Sequence, residues 1–216
     1  MAPPKLYHEP RSGPSRGALL AARAIGVPIE VEKVDLMKKE QLKESFLKIN
    51  PQHCVPTLDD DGFILWESRA IACYLADKFA KDDQWYPKDL QRRALVNQRL
   101  YFDGSNLYVK IRAICHPILF LGETEIKPFL RDDLNNTLKF LDGFLSSTKW
   151  VAGDNATIAD TSICSSVSNL FAIGWDLTNY PNIQRWYKNC ASLPGFDENQ
   201  EGAKQFGDAV KKNLKQ

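Results

Sequence analysis

Long apolar runs, Cys-x-x-Cys pairs, internal repeats, low-complexity tracts and an excess of either charge are all missing from this sequence of 216 residues. No stretch approaches the ~18 consecutive apolar residues of a membrane span, so no spanning helix is expected. The opening stretch, MAPPKLYHEPRSGPSRGALLAARAIG, holds no uninterrupted apolar core, because Arg16 and Arg23 bracket the best candidate; no signal peptide is expected. Lys and Arg total 28 against 27 Asp and Glu, a net charge of +1. That balance offers no broad footprint for nucleic acid or an anionic membrane surface. Cys54, Cys73, Cys115, Cys164 and Cys190 are odd in number and widely spread. This argues against a disulfide scaffold, a zinc site or a dithiol redox pair. Reduced thiols fit a cytoplasmic protein. The length suits one large domain or two small ones, with ample chain for a core.

Residues 1–80 alternate between strand and helix signals. KLYHE (5–9) is strand-like, and PSRGALLAARAIG (14–26) is helical, with Pro14 in its first turn and Gly26 at its C-terminal cap. IEVEKVDL (29–36) is rich in β-formers, and 38–50 places Leu42, Phe46 and Ile49 at helical spacing. PTL (56–58) and FILWE (63–67) flank DDDG, whose Asp-Gly signals a hairpin. SRAIACYLADKF (68–79) then sets Ile71, Tyr74, Leu75 and Phe79 on one helical face. The order β-α-β-α-β-β-α, with helical crossovers followed by a hairpin and a covering helix, is that of a thioredoxin-like α/β unit. Residues 81–89 form a polar linker, and 90–216 are expected to be all-helical, with helices over 90–121, 124–146, 157–172 and 181–191. Thr157 and Asp160, three apart, have the spacing of a capping box at a helix start, a structural role.

Three short stretches place reactive chemistry at element ends. In RSGPSR (11–16), Ser12 precedes a helix start, where a hydroxyl and the positive helix end stabilise an anion. Lowering a thiol pKa of ~8.5 by ~2 units requires about 2.7 kcal/mol, within reach of such an arrangement. Ser12 has no base beside it in sequence, so it reads as a stabiliser or simply as a cap. In HCVPTL (53–58), a cis peptide before Pro56 would turn the Val55 backbone towards a peptide ligand, and His53 could donate to a carboxylate at that ligand's end. Cys54 reads as a small buried residue. In WESRAI (66–71), Glu67 suits an ammonium group, while Ser68 and free helix amides suit a carboxylate; plain helix capping is the alternative. Together the stretches describe a cradle for a short extended peptide with a thiol, a free amino-acid end and a carboxylate.

FLKINPQHCVPTLDDDGFILWESRAIACYLADKF, RALVNQRLYFD (93–103) and VAGDNATIAD (151–160) resemble cytosolic glutathione transferases, especially the insect delta and epsilon classes, and the similarity spans essentially the whole chain. The resemblance implies a thioredoxin-like domain followed by an all-α domain, with glutathione as co-substrate and no metal. Ser12 matches the serine that hydrogen-bonds the glutathione thiolate. His53 matches the histidine near the glycine end, Val55 and cis-Pro56 the cysteinyl partner, and Glu67, Ser68 and Arg69 the γ-glutamyl binders. Asp103 matches an acid reaching the partner subunit's site in a homodimer. Tyr108, Ile111, His116, Phe120 and Phe206 are expected to form the pocket for the hydrophobic electrophile. Gln41 stands where delta enzymes often have a second histidine, and the MAPPKLY start is more epsilon-like than ESRAI.

The activity implied is thiolate attack on hydrophobic electrophiles, as in xenobiotic detoxification, by a cytoplasmic homodimer that binds neither nucleic acid nor membrane. A non-catalytic ligand-binding protein on the same fold is the alternative. A thiol oxidoreductase would need a cysteine where Ser12 stands.

Overall fold

The computed structural model describes residues 2–215. Strands β1 (Lys5–His8), β2 (Glu30–Lys33), β3 (Thr57–Asp60) and β4 (Phe63–Trp66) form one sheet in the order β2-β1-β3-β4. β1 runs parallel to β2 and antiparallel to β3, and β3 pairs antiparallel with β4. The parallel pair requires a crossover, supplied by α1 (Gly13–Ile25). Gly26 ends that helix in the left-handed conformation and donates to Ala22 and Arg23 carbonyls. The β3–β4 pair closes through Asp61 and Gly62, both at positive φ, as the Asp-Gly signal predicts. α3 (Ser68–Phe79) follows, and Leu6, Leu20, Leu58, Ile71 and Leu75 fill the space between sheet and helices. This is the thioredoxin-like unit expected from the sequence.

The helix expected over 38–50 is replaced by a 3-10 turn at Glu40–Leu42 and a short helix, α2 (Glu44–Leu47). Lys43 between them is extended, with ψ 144°. Of the spaced apolar residues only Phe46 is buried, while Leu42 and Leu47 face solvent, so no apolar stripe is buried along a continuous helix.

The helical half comprises α4 (Leu90–Phe102), α5 (Tyr108–Phe120), α6 (Pro128–Phe144), α7 (Ile158–Ile173), α8 (Pro181–Cys190) and α9 (Phe196–Asn213). A π-helical segment, Asp103–Leu107, joins α4 to α5 where one long helix was expected. The helix expected to begin at 124 begins instead at Pro128, which occupies its first turn. α7 is the central post: it is buried on almost every side and packs against α1 and α9. The linker is held to its start by a hydrogen bond from Ile158 N–H to the Trp85 carbonyl, 3.0 Å.

Thr157 and Asp160 form the reciprocal pair at the head of α7. One Asp160 oxygen accepts from the Thr157 N–H (2.8 Å) and hydroxyl (3.1 Å). The other accepts from Val151 N–H and Trp186 Nε1, both at 2.9 Å. The carboxyl thus ties the preceding turn and α8 to α7. Burial pushes its pKa up against the pull of these donors.

α9 lies in the stretch expected to be all-helical but given no helix of its own, and it carries Gly202 and Gly207. Close packing explains them. A Cβ at Gly202 would stand 2.3 Å from the Pro10 carbonyl oxygen, and one at Gly207 2.4 Å from that of Ala172. Small residues here let α9 dock against the loop before α1 and against α7.

Candidate active site

A cleft of about 450 Å³ opens where the N-terminal end of α1 faces α5 and α9. Ser12 lies on its wall as the N-cap of α1, with φ −77° and ψ 113°. Its Oγ accepts a long hydrogen bond, 3.4 Å, from the Ser15 N–H. Capping uses a lone pair and leaves the hydroxyl proton free to donate, so cap and anion donor are compatible roles for one side chain. Arg16 braces the loop beneath. Its buried guanidinium donates to the Pro10 carbonyl (3.0 Å), Asn199 Oδ1 (3.0 Å), Asn169 Oδ1 and the Ser165 carbonyl (3.3 Å). The bonds join the approach to Ser12 to both α7 and α9. Burial lowers the Arg16 pKa to about 10.

Val55–Pro56 is a cis peptide, and Val55 stands just outside the β1–β3 ladder, whose pairing reaches Thr57. Asn50 organises this corner: its Nδ2 donates to Thr57 Oγ1 (2.8 Å) and to the Cys54 carbonyl (3.3 Å). His53 is exposed, with φ 46°. Glu67, also exposed, carries φ 71° and ψ 104° at the head of α3. Positive φ at two non-glycine residues marks strain held by the surrounding fold. Both positions belong to the stretches singled out from sequence.

Behind Glu67, Ser68 is buried and Arg69 half-buried. Arg69 pairs with Asp103, which is fully buried and also accepts from Ser162 Oγ (2.6 Å) and Ser166 Oγ (2.7 Å). The contacts seen for Asp103 are all within its own chain. The π-helical segment turns its carboxylate inward, where its bonds go to its own chain.

Along α5, Tyr108 lies two turns before His116, and Phe120 one turn after it; all three line the cleft with Ile111, and Phe206 of α9 faces them. His116 and Phe120 rings lie 5.1 Å apart. Burial raises the Tyr108 pKa and pushes that of Cys115, another lining residue, up to about 12. An inert thiol in that wall follows.

The N-terminal domain model of the glutathione S-transferase family matches residues 2–77, and the C-terminal domain model of that family matches residues 117–194. Among solved structures, glutathione S-transferase unclassified 2 from Bombyx mori is 73% identical with a TM-score of 0.97, and the match covers 100% of both chains. The chain belongs to the glutathione S-transferase family. A delta-class glutathione transferase of Nilaparvata lugens is 46% identical, with a TM-score of 0.95 over 98% of this chain and 100% of the other. A glutathione transferase homologue from Drosophila mojavensis, solved with bound glutathione, is 41% identical, with a TM-score of 0.95 over 99% of both chains.

In this glutathione S-transferase, all five residues expected for the apolar pocket line one cleft together with Ser12. His53, Val55, Glu67 and Ser68 belong to the strand–helix side of the molecule. Thr157 and Asp160 lie apart, at the head of α7. Sequence reading missed Glu9 and Arg11, whose carboxylate and guanidinium pair at 2.9 and 3.0 Å on the cleft wall. Burial raises the Glu9 pKa, but the Arg11 bonds outweigh it and hold the carboxyl below its usual range. Ser162, Ser166 and Asn169 were also missed. Their one signal is polarity on a helix that is buried all round.

Proposed function

We propose that this glutathione S-transferase joins the glutathione sulfur to hydrophobic electrophiles, with Ser12 favouring the thiolate. The observation that carries the reading is the position of Ser12: its hydroxyl caps α1, retains its donor, and shares a cleft with apolar side chains from α5 and α9. A donor at a helix N-terminus stabilises negative charge on sulfur. Glutathione supplies the nucleophile. The protein supplies orientation, ionisation and a place for the apolar partner.

Glu67, Ser68 and Arg69 are assigned to the γ-glutamyl end, the Val55 backbone beside Pro56 to the cysteinyl part, and His53 to the glycine carboxylate. Gln41, whose Oε1 is buried without a partner among the described residues, sits on the 3-10 turn. Asp103 holds Arg69 in place for this task, and Tyr108, Ile111, His116, Phe120 and Phe206 receive the electrophile. Residues 1–80 thus act as the glutathione-binding unit and 90–216 as the unit carrying the hydrophobic site. The assembly is a cytoplasmic homodimer. Tyr101 on α4, 75% exposed in the single chain, is assigned to the face that a second copy covers. Detoxification of foreign electrophiles is the role that this chemistry serves.

The test is conjugation of glutathione to chlorodinitrobenzene, followed by absorbance of the thioether product. Turnover well above the uncatalysed rate is expected. Glutathione binding without turnover would reduce the protein to a carrier. Sedimentation at micromolar concentration should give twice the chain mass, and a monomer would refute the dimer.

A further inference from the structure

Cations surround the apolar cleft in excess of the carboxylates that face them. Arg11, Arg112 and Lys212 line it, against a single acid, Glu9. Glu9 is committed to Arg11, which binds both of its oxygens. Among the described residues, neither Arg112 nor Lys212 lies within ion-pair distance of any carboxylate. The cleft therefore carries two uncompensated positive charges, although the whole chain has a net charge of only +1. Both belong to the walls already assigned to the electrophile. Arg112 sits one turn from Tyr108 and one from His116 on α5, and Lys212 follows Phe206 and Ala209 along α9.

A wall of Met37, Ile111, Leu119, Phe120 and Phe206 suits an apolar body. Arg112 and Lys212 are both exposed and stand at the rim of that wall, where unpaired cations attract an anion entering the cleft through a field that salt screens. We propose that the cleft favours electrophiles bearing a carboxylate on an apolar body, with Arg112 and Lys212 receiving that carboxylate. This rests on the reading that the chain conjugates glutathione, and it names the class of second substrate.

A matched pair of probes isolates the carboxylate: a chlorodinitrobenzoate and its methyl ester. With either, a carbon–sulfur bond forms, the carbon–chlorine bond breaks, chloride leaves with its electron pair, and the thiol proton passes to solvent. Each enzymatic kcat/KM is divided by the uncatalysed rate constant with glutathione, which removes the difference in intrinsic reactivity. For the natural sequence we expect the carboxylate to be preferred by roughly fivefold or more at low salt, with the preference shrinking as salt screens it. The paired variant R112Q/K212Q should bring the ratio close to one. K139Q, which removes one exposed charge from α6, should keep it.

A ratio at or below one in the natural sequence would overturn the proposal, as would an unchanged ratio in R112Q/K212Q. A variant effect confined to the KM for glutathione would also overturn it, by assigning the cations to the tripeptide's own carboxylates. Failure of the underlying reading is separable, since it would abolish turnover of neutral chlorodinitrobenzene as well. In that case calorimetry with the two preformed thioether conjugates decides: tighter binding of the carboxylate form, lost in R112Q/K212Q, supports the proposal, and equal binding refutes it.

Discussion

On the strand–helix side of the molecule, Ser12, Val55 and Glu67 all sit at the ends of elements, two as N-caps and one just before a strand. On the helical side, Tyr108, Ile111, His116, Phe120 and Phe206 lie along α5 and α9, and their order is set by helical repeat. The first set relies on backbone geometry: a cis peptide, positive φ at His53 and Glu67, and free helix amides. Few residue types tolerate these conformations, so the chemistry leaves a short local signature. The second set relies on side-chain volume and charge, which many residue combinations satisfy. One set is fixed by backbone conformation, and the other leaves side-chain size and charge free to vary.

The sharpest break in this comparison lies outside the cleft, in the post that supports the helical wall. Asp160→Ala would strip acceptors from the buried Val151 N–H, Thr157 N–H and Trp186 Nε1–H. Orphaned buried donors cost about 1–3 kcal/mol each, so a loss of roughly 4 kcal/mol is expected in denaturant unfolding. Should stability hold while glutathione affinity collapses, Asp160 belongs to the binding wall instead.

The strand–helix half carries its own acid sensitivity. His8 on β1 is buried, and burial lowers its pKa from 6.5 to about 4. Its neutral form is thus favoured by folding, and the unfolded chain takes up the proton first. The stability this contributes is complete above pH 6.5 and is lost as pH falls through that value towards 4. The shift corresponds to about 3 kcal/mol. His8→Gln should flatten the unfolding free energy across that window, and a slope identical to that of the natural sequence would refute this account.

Ser12→Ala separates catalysis from binding on the first wall. The thiol pKa should return towards ~8.5, and kcat at neutral pH should fall about tenfold or more, with partial recovery at higher pH. Affinity for glutathione should change little, because Glu67, Ser68, His53 and Val55 remain. An unchanged pH–rate profile would remove Ser12 from the chemistry. The smallest effect is expected at Gly62→Ala. Its φ of 85° disfavours a side chain, yet nothing lies within 4 Å of a Cβ there. A loss of about 1 kcal/mol in stability with unchanged conjugation should follow.

Much of this is legible in the sequence. Helix α3 begins and ends where its apolar spacing and the WESRAI junction place it, and Asp61-Gly62 forms its hairpin. The Thr157–Asp160 pair caps α7 as its spacing predicts. Where the reading failed, long-range packing had overruled local preference. No separate helix was expected over 196–213, and Gly202 and Gly207 are explained only by the close approach of α9 to Pro10 and Ala172. Residues 38–50 look amphipathic until only Phe46 finds a core.

The sequence by itself therefore determined most of the strand and helix order of residues 1–80, the cis junction before Pro56 and the Ser12 cap, because those depend on residues close together along the chain. Tertiary structure alone decided that Asp103 turns inward to Arg69, Ser162 and Ser166, and that Arg16 is braced by Asn169 and Asn199. It also decided that Arg112 and Lys212 meet around one apolar cleft. Each of these pairings spans tens of residues or more, and a buried or focused charge finds its partners only when distant helices pack together.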